Sequence, residues 1–248
     1  MRKSAPGKVW LVGAGPGDPE LLTLKARRVL AAAGVVVYDE LVHAAILEHA
    51  PKACERVYVG KRERHHALPQ EEIAALMIAR ARDGRSVVRL KGGDPFLFGR
   101  GGEEADQLAA AGVAWEVVPG VSAGLAVPAA AGIPLTQRGL ASAVVFRAGH
   151  RCAEAEAENR PEPRPTQVVF MGLGRLAAIA QELVAEGWPP ETPAAVISQG
   201  TLAAQRVVVA PLAAIAARVA EAALPSPALI VVGEVVRCRE RWLAAASA

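Results

Sequence analysis

The sequence is poor in aromatic residues, which make up 4% of its 248 positions, and its net charge is only +3. Proteins that bind single-stranded nucleic acid stack bases on aromatic side chains, and nucleic-acid-binding domains in general carry a strong excess of positive charge. The sequence offers neither feature, so we expect no nucleic-acid partner.

Cysteine is scarce as well. The three cysteines, Cys54, Cys152 and Cys238, lie far apart and form no CxxC or Cys/His pattern. Paired spacings of that kind mark zinc sites and disulfide frameworks, so the sequence predicts neither a metal nor a disulfide. Free thiols are typical of a reducing compartment, and we expect a cytoplasmic protein.

Signals for membrane insertion are also lacking. The basic N-terminus is interrupted by Pro6, Gly7 and Lys8 before any apolar core as long as that of a signal peptide. One run, 117–137, is uncharged and mostly apolar, but its three prolines and three glycines would break a lipid-facing helix repeatedly. We therefore expect no membrane partner, and we interpret this run as a loop and helix buried at a domain junction.

Short apolar strands alternate with helices along the first half of the chain. The helix after the first strand is expected to begin with Asp18 as its N-cap and Pro19 as its first residue. This alternation predicts a largely parallel sheet with helices on its faces. The predicted strands are 8–12, 35–38, 56–59, 86–90 and 115–118, and the further helices are 69–84 and 102–111.

The second half repeats this pattern more loosely. Strands are predicted at 142–147, 167–171, 194–198, 206–209 and 228–233, with helices near 175–186 and 211–223. A Pro/Gly-rich zone near 119–121 is the best domain boundary. The predicted fold class is therefore α/β, with two α/β domains, 1–120 and 121–248, and a ligand cleft between them.

Three glycine-rich loops follow predicted strands: "GAGPGD" at 13–18, "KGGDPFLFGRGGEE" at 91–104 and "PGVSAG" at 119–124. In a parallel sheet all three leave the carboxyl edge, where ligands bind, and glycine lets the backbone approach a ligand closely. The first loop could equally be a tight turn. Asp94 in the second is suited to ribose hydroxyls or an ammonium group. No Lys-Ser/Thr pair follows the glycines, which disfavours a nucleoside triphosphate.

At this point the residues match a known family. "VGAGPGDPELLTLKA", "VVRLKGGDPFLFGRGGEE", "VVPGVSAG", "AGIPLTQRG" and "SPALIVVGEVV" resemble, in order, the signatures of the tetrapyrrole methylases. The resemblance runs from about residue 8 to the C-terminus and is weakest over 147–166. It implies methyl transfer from S-adenosylmethionine, released as S-adenosylhomocysteine, to a cyclic tetrapyrrole. It also implies two α/β domains with the cofactor in the cleft, usually in a homodimer.

The resemblance carries a set of cofactor contacts onto this sequence. It implies contacts from the first and second loops, from the third loop, where Ser122 keeps the hydroxyl of a more usual threonine, and from the second half of the chain. The implied cofactor-binding residues are Pro16, Gly92, Gly93, Asp94, Leu97, Ser122, Ala123, Met171, Gly200 and Ala228.

The same resemblance implies two catalytic residues, Asp39 as proton acceptor and Lys61 as proton donor. From sequence context alone, Asp39 could simply cap the next segment, and Lys61 could lie in a solvated basic turn. The nucleophile would be an electron-rich carbon of the substrate, so the protein aligns the reactants and a base removes a proton afterwards. No metal is required for this chemistry.

Within the family, the resemblance is closest to the C-methyltransferases that act on uroporphyrinogen III. It implies methylation at carbons 2 and 7 to give precorrin-2, for sirohaem or cobalamin. Departures from the family pattern occur at Gln137, Ala148, Ser198 and loop 151–166. They leave two alternatives open: methylation of a later corrin precursor, or a non-catalytic module that only binds the cofactor.

Overall fold

The computed structural model describes residues 7–60, 68–141, 143–146 and 164–246. The described chain forms two compact units, one containing the residues up to 146 and the other containing 164–244. Residues 121–146 group with the first unit, and the proposed boundary between 1–120 and 121–248 stays a prediction.

The first unit is built on a five-stranded parallel sheet, as the alternation of strands and helices predicts. The strand order is β3-β2-β4-β1-β5, so all five carboxyl ends lie at one edge. β4 has a neighbour on each side and is buried along its whole length. The strands are β1 (Val9–Gly13), β2 (Val35–Tyr38), β3 (Glu55–Tyr58), β4 (Val87–Lys91) and β5 (Trp115–Val118).

Four helices connect these strands: α1 (Leu24–Ala31), the short α2 (Ala44–Leu47), α3 (Gln70–Arg82) and α4 (Gly101–Ala110). The prediction of a single helix starting at Pro19 was wrong. Asp18 caps only a 3₁₀ turn, by accepting from the Glu20 amide at 2.9 Å. Leu22 is extended and ends that turn, and Thr23 then caps α1 by accepting from the Ala26 amide at 3.1 Å.

The apolar run after β5 forms helix α5 (Ala123–Ala130), but none of its residues is buried. The predicted burial was therefore wrong for this chain, because the apolar side chains of Leu125 and Val127 project from the unit instead of entering its core. The strand predicted at 142–147 is absent over 143–146, and its two end residues lie outside the described part. Within the described ranges, no helix has both the length and the apolarity to span a bilayer.

The second unit contains a four-stranded sheet in the order β6-β9-β7-β8, and every pairing in it is antiparallel. It therefore does not repeat the parallel arrangement of the first half. The connection 199–205 between β7 and β8 is too short to hold the crossover that parallel neighbours need. The strands are β6 (Gln167–Val169), β7 (Pro193–Ser198), β8 (Arg206–Pro211) and β9 (Ala228–Val232).

In the described part of this unit, three helices accompany the sheet: α6 (Leu176–Ala185), α7 (Ile215–Glu221) and α8 (Val236–Ala246). The first two match the predicted helices. No helix was predicted at the position of α8. Leu212, Ile215 and Ile230 are almost completely buried and form the centre of a second, separate core.

Candidate active site

The three glycine loops meet at the carboxyl edge of the first sheet. A Cβ atom on Gly13 would lie 2.5 Å from the Gly120 backbone and 2.6 Å from the Gly93 carbonyl oxygen. A Cβ on Gly120 would likewise collide with the Gly93 oxygen. Only glycine permits this backbone-to-backbone approach, so the spacing of the loops depends on residues without side chains.

Backbone hydrogen bonds lock the first two loops together. The Gly93 amide donates to the Gly15 carbonyl at 2.7 Å, and the Gly15 amide donates back to Gly93 at 3.2 Å. Both glycines have positive φ angles, 80° at Gly15 and 63° at Gly93, a conformation that other residues rarely adopt. Pro16 directly follows this bridge.

Asp94 fastens the second loop to the third. Its Oδ2 accepts from the Gly120 amide at 3.0 Å, and its Oδ1 accepts from the Phe96 amide at 2.8 Å. The carboxylate is half-buried, and each oxygen keeps further lone-pair capacity for a ligand. Asp94 therefore has a structural task that its sequence context does not reveal.

The start of α5 lies against the second loop. A Cβ on Gly93 would be 3.6 Å from the Ala123 amide nitrogen and 3.9 Å from the Ser122 Cα. Ser122 caps the helix, since its hydroxyl oxygen accepts from the Gly124 amide at 3.2 Å. The first-unit residues with implied cofactor contacts thus lie on three loops that converge at one place: Pro16, Gly92, Gly93, Asp94, Leu97, Ser122 and Ala123.

Asp39 follows β2 at the same edge of the sheet. Its Oδ2 lies 3.0 Å from Arg89 Nη2, and its Oδ1 accepts from the Leu41 amide at 3.2 Å. Asp39 does not cap the next helix; His43 does, by accepting from the Ala45 amide at 3.2 Å. The Asp39 side chain is 23% exposed and is therefore accessible from solvent. Lys61, the implied proton donor, lies outside the described residues.

Behind Asp39 lies a cluster of buried charges that sequence analysis missed. Glu104 Oε1 accepts from Arg89 Nε at 3.0 Å, from Lys91 Nζ at 3.0 Å and from Gln70 Nε2 at 2.8 Å. Burial lowers the pKa of Lys91, the Arg89 charge lowers it further, and Glu104 opposes both effects. The one available signal was the charge at alternate positions of the apolar strand "VVRLK", which places both cations on one face.

The three implied contacts in the second unit also share an edge of their sheet. Ser198 pairs with Ala228, and the Gln199 amide donates to the Pro227 carbonyl at 2.9 Å, which brings Gly200 close to the start of β9. Met171 follows β6, whose Val169 pairs with Ile230 of β9. The Met171 side chain is 95% exposed and borders a cavity of about 310 Å³.

The departures from the family pattern have different surroundings. Gln137 is exposed and takes part in a turn with Ala141. Ser198 is buried, and its hydroxyl donates to the Pro225 carbonyl at 2.5 Å. Ala148 and most of loop 151–166 lie outside the described residues. In the part of the chain that is described, no group of His, Cys, Asp or Glu side chains is arranged to hold a metal ion.

Comparison with known proteins agrees with this fold. Residues 8–216 match the family described as Tetrapyrrole (Corrin/Porphyrin) Methylases. The siroheme synthase of Acinetobacter baylyi is 49% identical over 247 residues, which cover 96% of this chain and 53% of that protein. The siroheme synthase of Azotobacter vinelandii is 50% identical over 96% of this chain and 52% of its own length. The chain therefore spans about half the length of the curated relatives it matches.

Solved structures match over nearly their full length. The crystal structure of uroporphyrin-III-C-methyltransferase from Thermus thermophilus has a TM-score of 0.54 and 45% identity, covering 96% of each chain. A cobalt precorrin-4 methyltransferase has a TM-score of 0.52 and 27% identity, covering 91% of this chain and 94% of its own.

Proposed function

Because the chain belongs to the tetrapyrrole methylase family, we propose that it transfers methyl groups from S-adenosylmethionine to uroporphyrinogen III, at carbons 2 and 7, to give precorrin-2. Two similarities support this substrate over a later corrin precursor. The uroporphyrin-III-C-methyltransferase matches end to end at 45% identity, whereas the cobalt precorrin-4 methyltransferase matches at 27%.

The observation that carries the proposal is the meeting of the three glycine loops at one sheet edge. S-Adenosylmethionine has no phosphate, so its binding requires polar backbone groups in a narrow space rather than a pyrophosphate cradle. Gly13 and Gly120 let the three loops meet backbone to backbone, and Asp94 and Ser122 add acceptor oxygens beside this meeting point. We propose that these residues, with Pro16, Gly92, Leu97 and Ala123, hold the cofactor together with Met171, Gly200 and Ala228.

The bound cofactor supplies an electrophilic methyl group, and the residues of this chain do the rest. The loops hold the donor and the substrate carbon in line for displacement, which replaces a bimolecular encounter by a fixed geometry. The methylated ring is cationic and must lose a proton. Asp39 is the proposed acceptor, because its carboxylate is fixed by Arg89 yet still accessible. The proposed donor role of Lys61 rests on the family resemblance.

The assembly and location are proposed on separate grounds. We infer a homodimer from the family resemblance together with the exposed apolar side chains of 121–146, such as Leu125, Val127 and Ile133. The cytoplasmic location is inferred from the scattered cysteines, of which Cys54 and Cys238 are free thiols. The product would feed sirohaem or cobalamin synthesis.

The direct test is a turnover assay with purified protein, S-adenosylmethionine and uroporphyrinogen III, read by absorbance and product mass. Addition of two methyl groups is the expected result. Turnover of only a later precorrin would identify that intermediate as the substrate. Tight binding of S-adenosylhomocysteine without turnover of any tetrapyrrole would reduce the function to cofactor binding.

A further inference from the structure

The buried charges behind Asp39 form one connected set, which we call the Glu104 cluster: Gln70, Arg89, Lys91 and Glu104. The side chains of Arg89, Lys91 and Glu104 are 4%, 6% and 0% exposed. Together with Asp39, the cluster contains two cations and two carboxylates, so its formal charges cancel. Arg89 is the member that reaches out of the cluster, through its 3.0 Å contact with Asp39.

The geometry of Arg89 links the two carboxylates rigidly. Its Nε is bound to Glu104 Oε1 at 3.0 Å, and its Nη1 donates to the Leu90 carbonyl at 3.0 Å. A guanidinium group is planar, so fixing these two nitrogens also fixes the direction of the third, which faces Asp39 Oδ2. Since the Arg89 side chain is almost fully buried, its hydrogen bonds are stronger than they would be in water.

A contribution to stability does not explain why these charged side chains are buried. Buried ion pairs are frequently replaced by well-packed apolar residues without loss of stability. Among the described residues, moreover, none donates a hydrogen bond to the buried Glu104 Oε2, and an unpaired oxygen is costly in a protein interior. The cluster lies at the carboxyl end of β4, directly behind Asp39, while the strand positions before it, such as Val87 and Val88, are apolar and fully buried.

We propose that Arg89 and Glu104 form a positioning pair that holds the Asp39 carboxylate in the orientation needed to accept a proton from the substrate. This inference rests on the proposed function of Asp39. Glu104 fixes Arg89, and Arg89 fixes Asp39. Neither residue of the pair needs to touch the substrate or the cofactor.

The test compares Arg89→Gln with Arg89→Lys. In Arg89→Gln, Glu104 keeps Lys91 and Gln70 as partners, but Asp39 loses its cation. We expect kcat to fall about tenfold or more, while KM for the tetrapyrrole and the affinity for S-adenosylhomocysteine stay within about twofold. Arg89→Lys keeps the charge but lacks the fork that reaches both carboxylates, so it should recover part of kcat.

Arg80→Gln is the matched control. Arg80 also binds a carboxylate on this sheet, Glu55, at 2.8 Å, but at the amino end of β3. This variant should keep wild-type kcat. If Arg89→Gln also kept wild-type kcat, or if its KM rose while kcat stayed constant, the positioning role would be wrong.

Crystal structures of the wild-type protein and of Arg89→Gln provide a readout that does not need turnover. We expect the Asp39 carboxylate to leave its wild-type orientation in the variant. An unchanged orientation would overturn the inference whatever the activity. A wild-type protein inactive on every tetrapyrrole would instead refute the proposed function, and the two failures are therefore distinguishable.

Discussion

The two sheets of this chain use glycine in different ways. At the carboxyl edge of the first sheet, Gly13, Gly93 and Gly120 meet backbone to backbone, and no side chain fits between them. In the second unit, the three atoms nearest to a Cβ on Gly172 would all be side-chain methyl groups, from Ile179, Ile230 and Val169. The first edge is therefore rigid and specified by the backbone, whereas the second can adjust by moving side chains.

The largest effect expected from this difference is that of Gly120→Ala. Its Cβ would collide with the Gly93 carbonyl oxygen and the Gly13 Cα, and neither backbone atom can move without opening the loops. We expect a loss of about 3 kcal/mol in the free energy of unfolding, measured by urea denaturation.

Two matched variants sharpen this result. Gly172→Ala should cost about 1 kcal/mol, because flexible side-chain ends can give way. Gly102→Ala, in α4 with nothing within 4 Å of the added Cβ, should be neutral or stabilising by up to about 1 kcal/mol. Equal costs for Gly120→Ala and Gly172→Ala would remove the proposed difference between the two units.

The next effect concerns the carboxylate that ties the loops together. Asp94→Ala leaves the Gly120 and Phe96 amides without their acceptor. We expect the affinity for S-adenosylhomocysteine to fall by about 1–3 kcal/mol, measured by calorimetry. Asp94→Asn keeps one acceptor oxygen and should lose less. An unchanged affinity for S-adenosylhomocysteine in Asp94→Ala would show that Asp94 does not contribute to cofactor binding.

In the second unit, the Met171 side chain should contribute to cofactor binding but not to the stability of the fold. Met171 is 95% exposed, so Met171→Ala should leave the urea midpoint unchanged. If Met171 packs against the cofactor, the affinity for S-adenosylhomocysteine should fall by about 1 kcal/mol. A wild-type affinity would show that the Met171 side chain does not contact the cofactor.

The smallest expected effect is a pH dependence. Hydrogen bonds from Arg80 and Arg85 lower the pKa of Glu55 despite its partial burial. The stabilisation from these ion pairs is therefore fully present above about pH 4.3, the ordinary pKa of an unfolded glutamate. It is lost as the pH falls through the lower pKa that Glu55 has in the folded protein. Wild type should be more stable than Glu55→Gln at pH 7, and the difference should vanish in acid.

The comparable pair in the second unit is Arg175 and Glu182, both more than half exposed. Exposed pairs contribute little to stability, so Glu182→Gln should have nearly the same free energy of unfolding as wild type at pH 7. A larger effect at Glu182 than at Glu55 would contradict the description of the two units.

Sequence reasoning was most successful where local pattern and tertiary context agree. The alternation of short apolar strands with helices was enough to predict the parallel sheet of the first unit, and it placed the three glycine loops at the carboxyl edge of that sheet. The start of α1 was misplaced because Asp18 and Thr23 are both good N-caps. The extended conformation of Leu22 ends the first turn and makes Thr23 the N-cap of the helix. The antiparallel second sheet was missed, although the short connection 199–205 between two predicted strands leaves no space for the crossover that parallel neighbours need.

The side-chain contacts of the site were the least predictable part. Asp94 was identified as a ligand candidate, but its bond to the Gly120 amide joins positions that are 26 residues apart. Arg89 and Lys91 share a carboxylate, that of Glu104, which lies on another element. Such contacts become visible only when the strands are assembled.

The proposed function depends most on the binding of the methyl donor by the converging glycine loops of the first sheet. The most direct measurement is a crystal structure of the protein with S-adenosylhomocysteine. We expect the molecule against Gly93, Asp94 and Ser122 at the carboxyl edge of that sheet. A molecule bound at another place, with these loops empty, would contradict it.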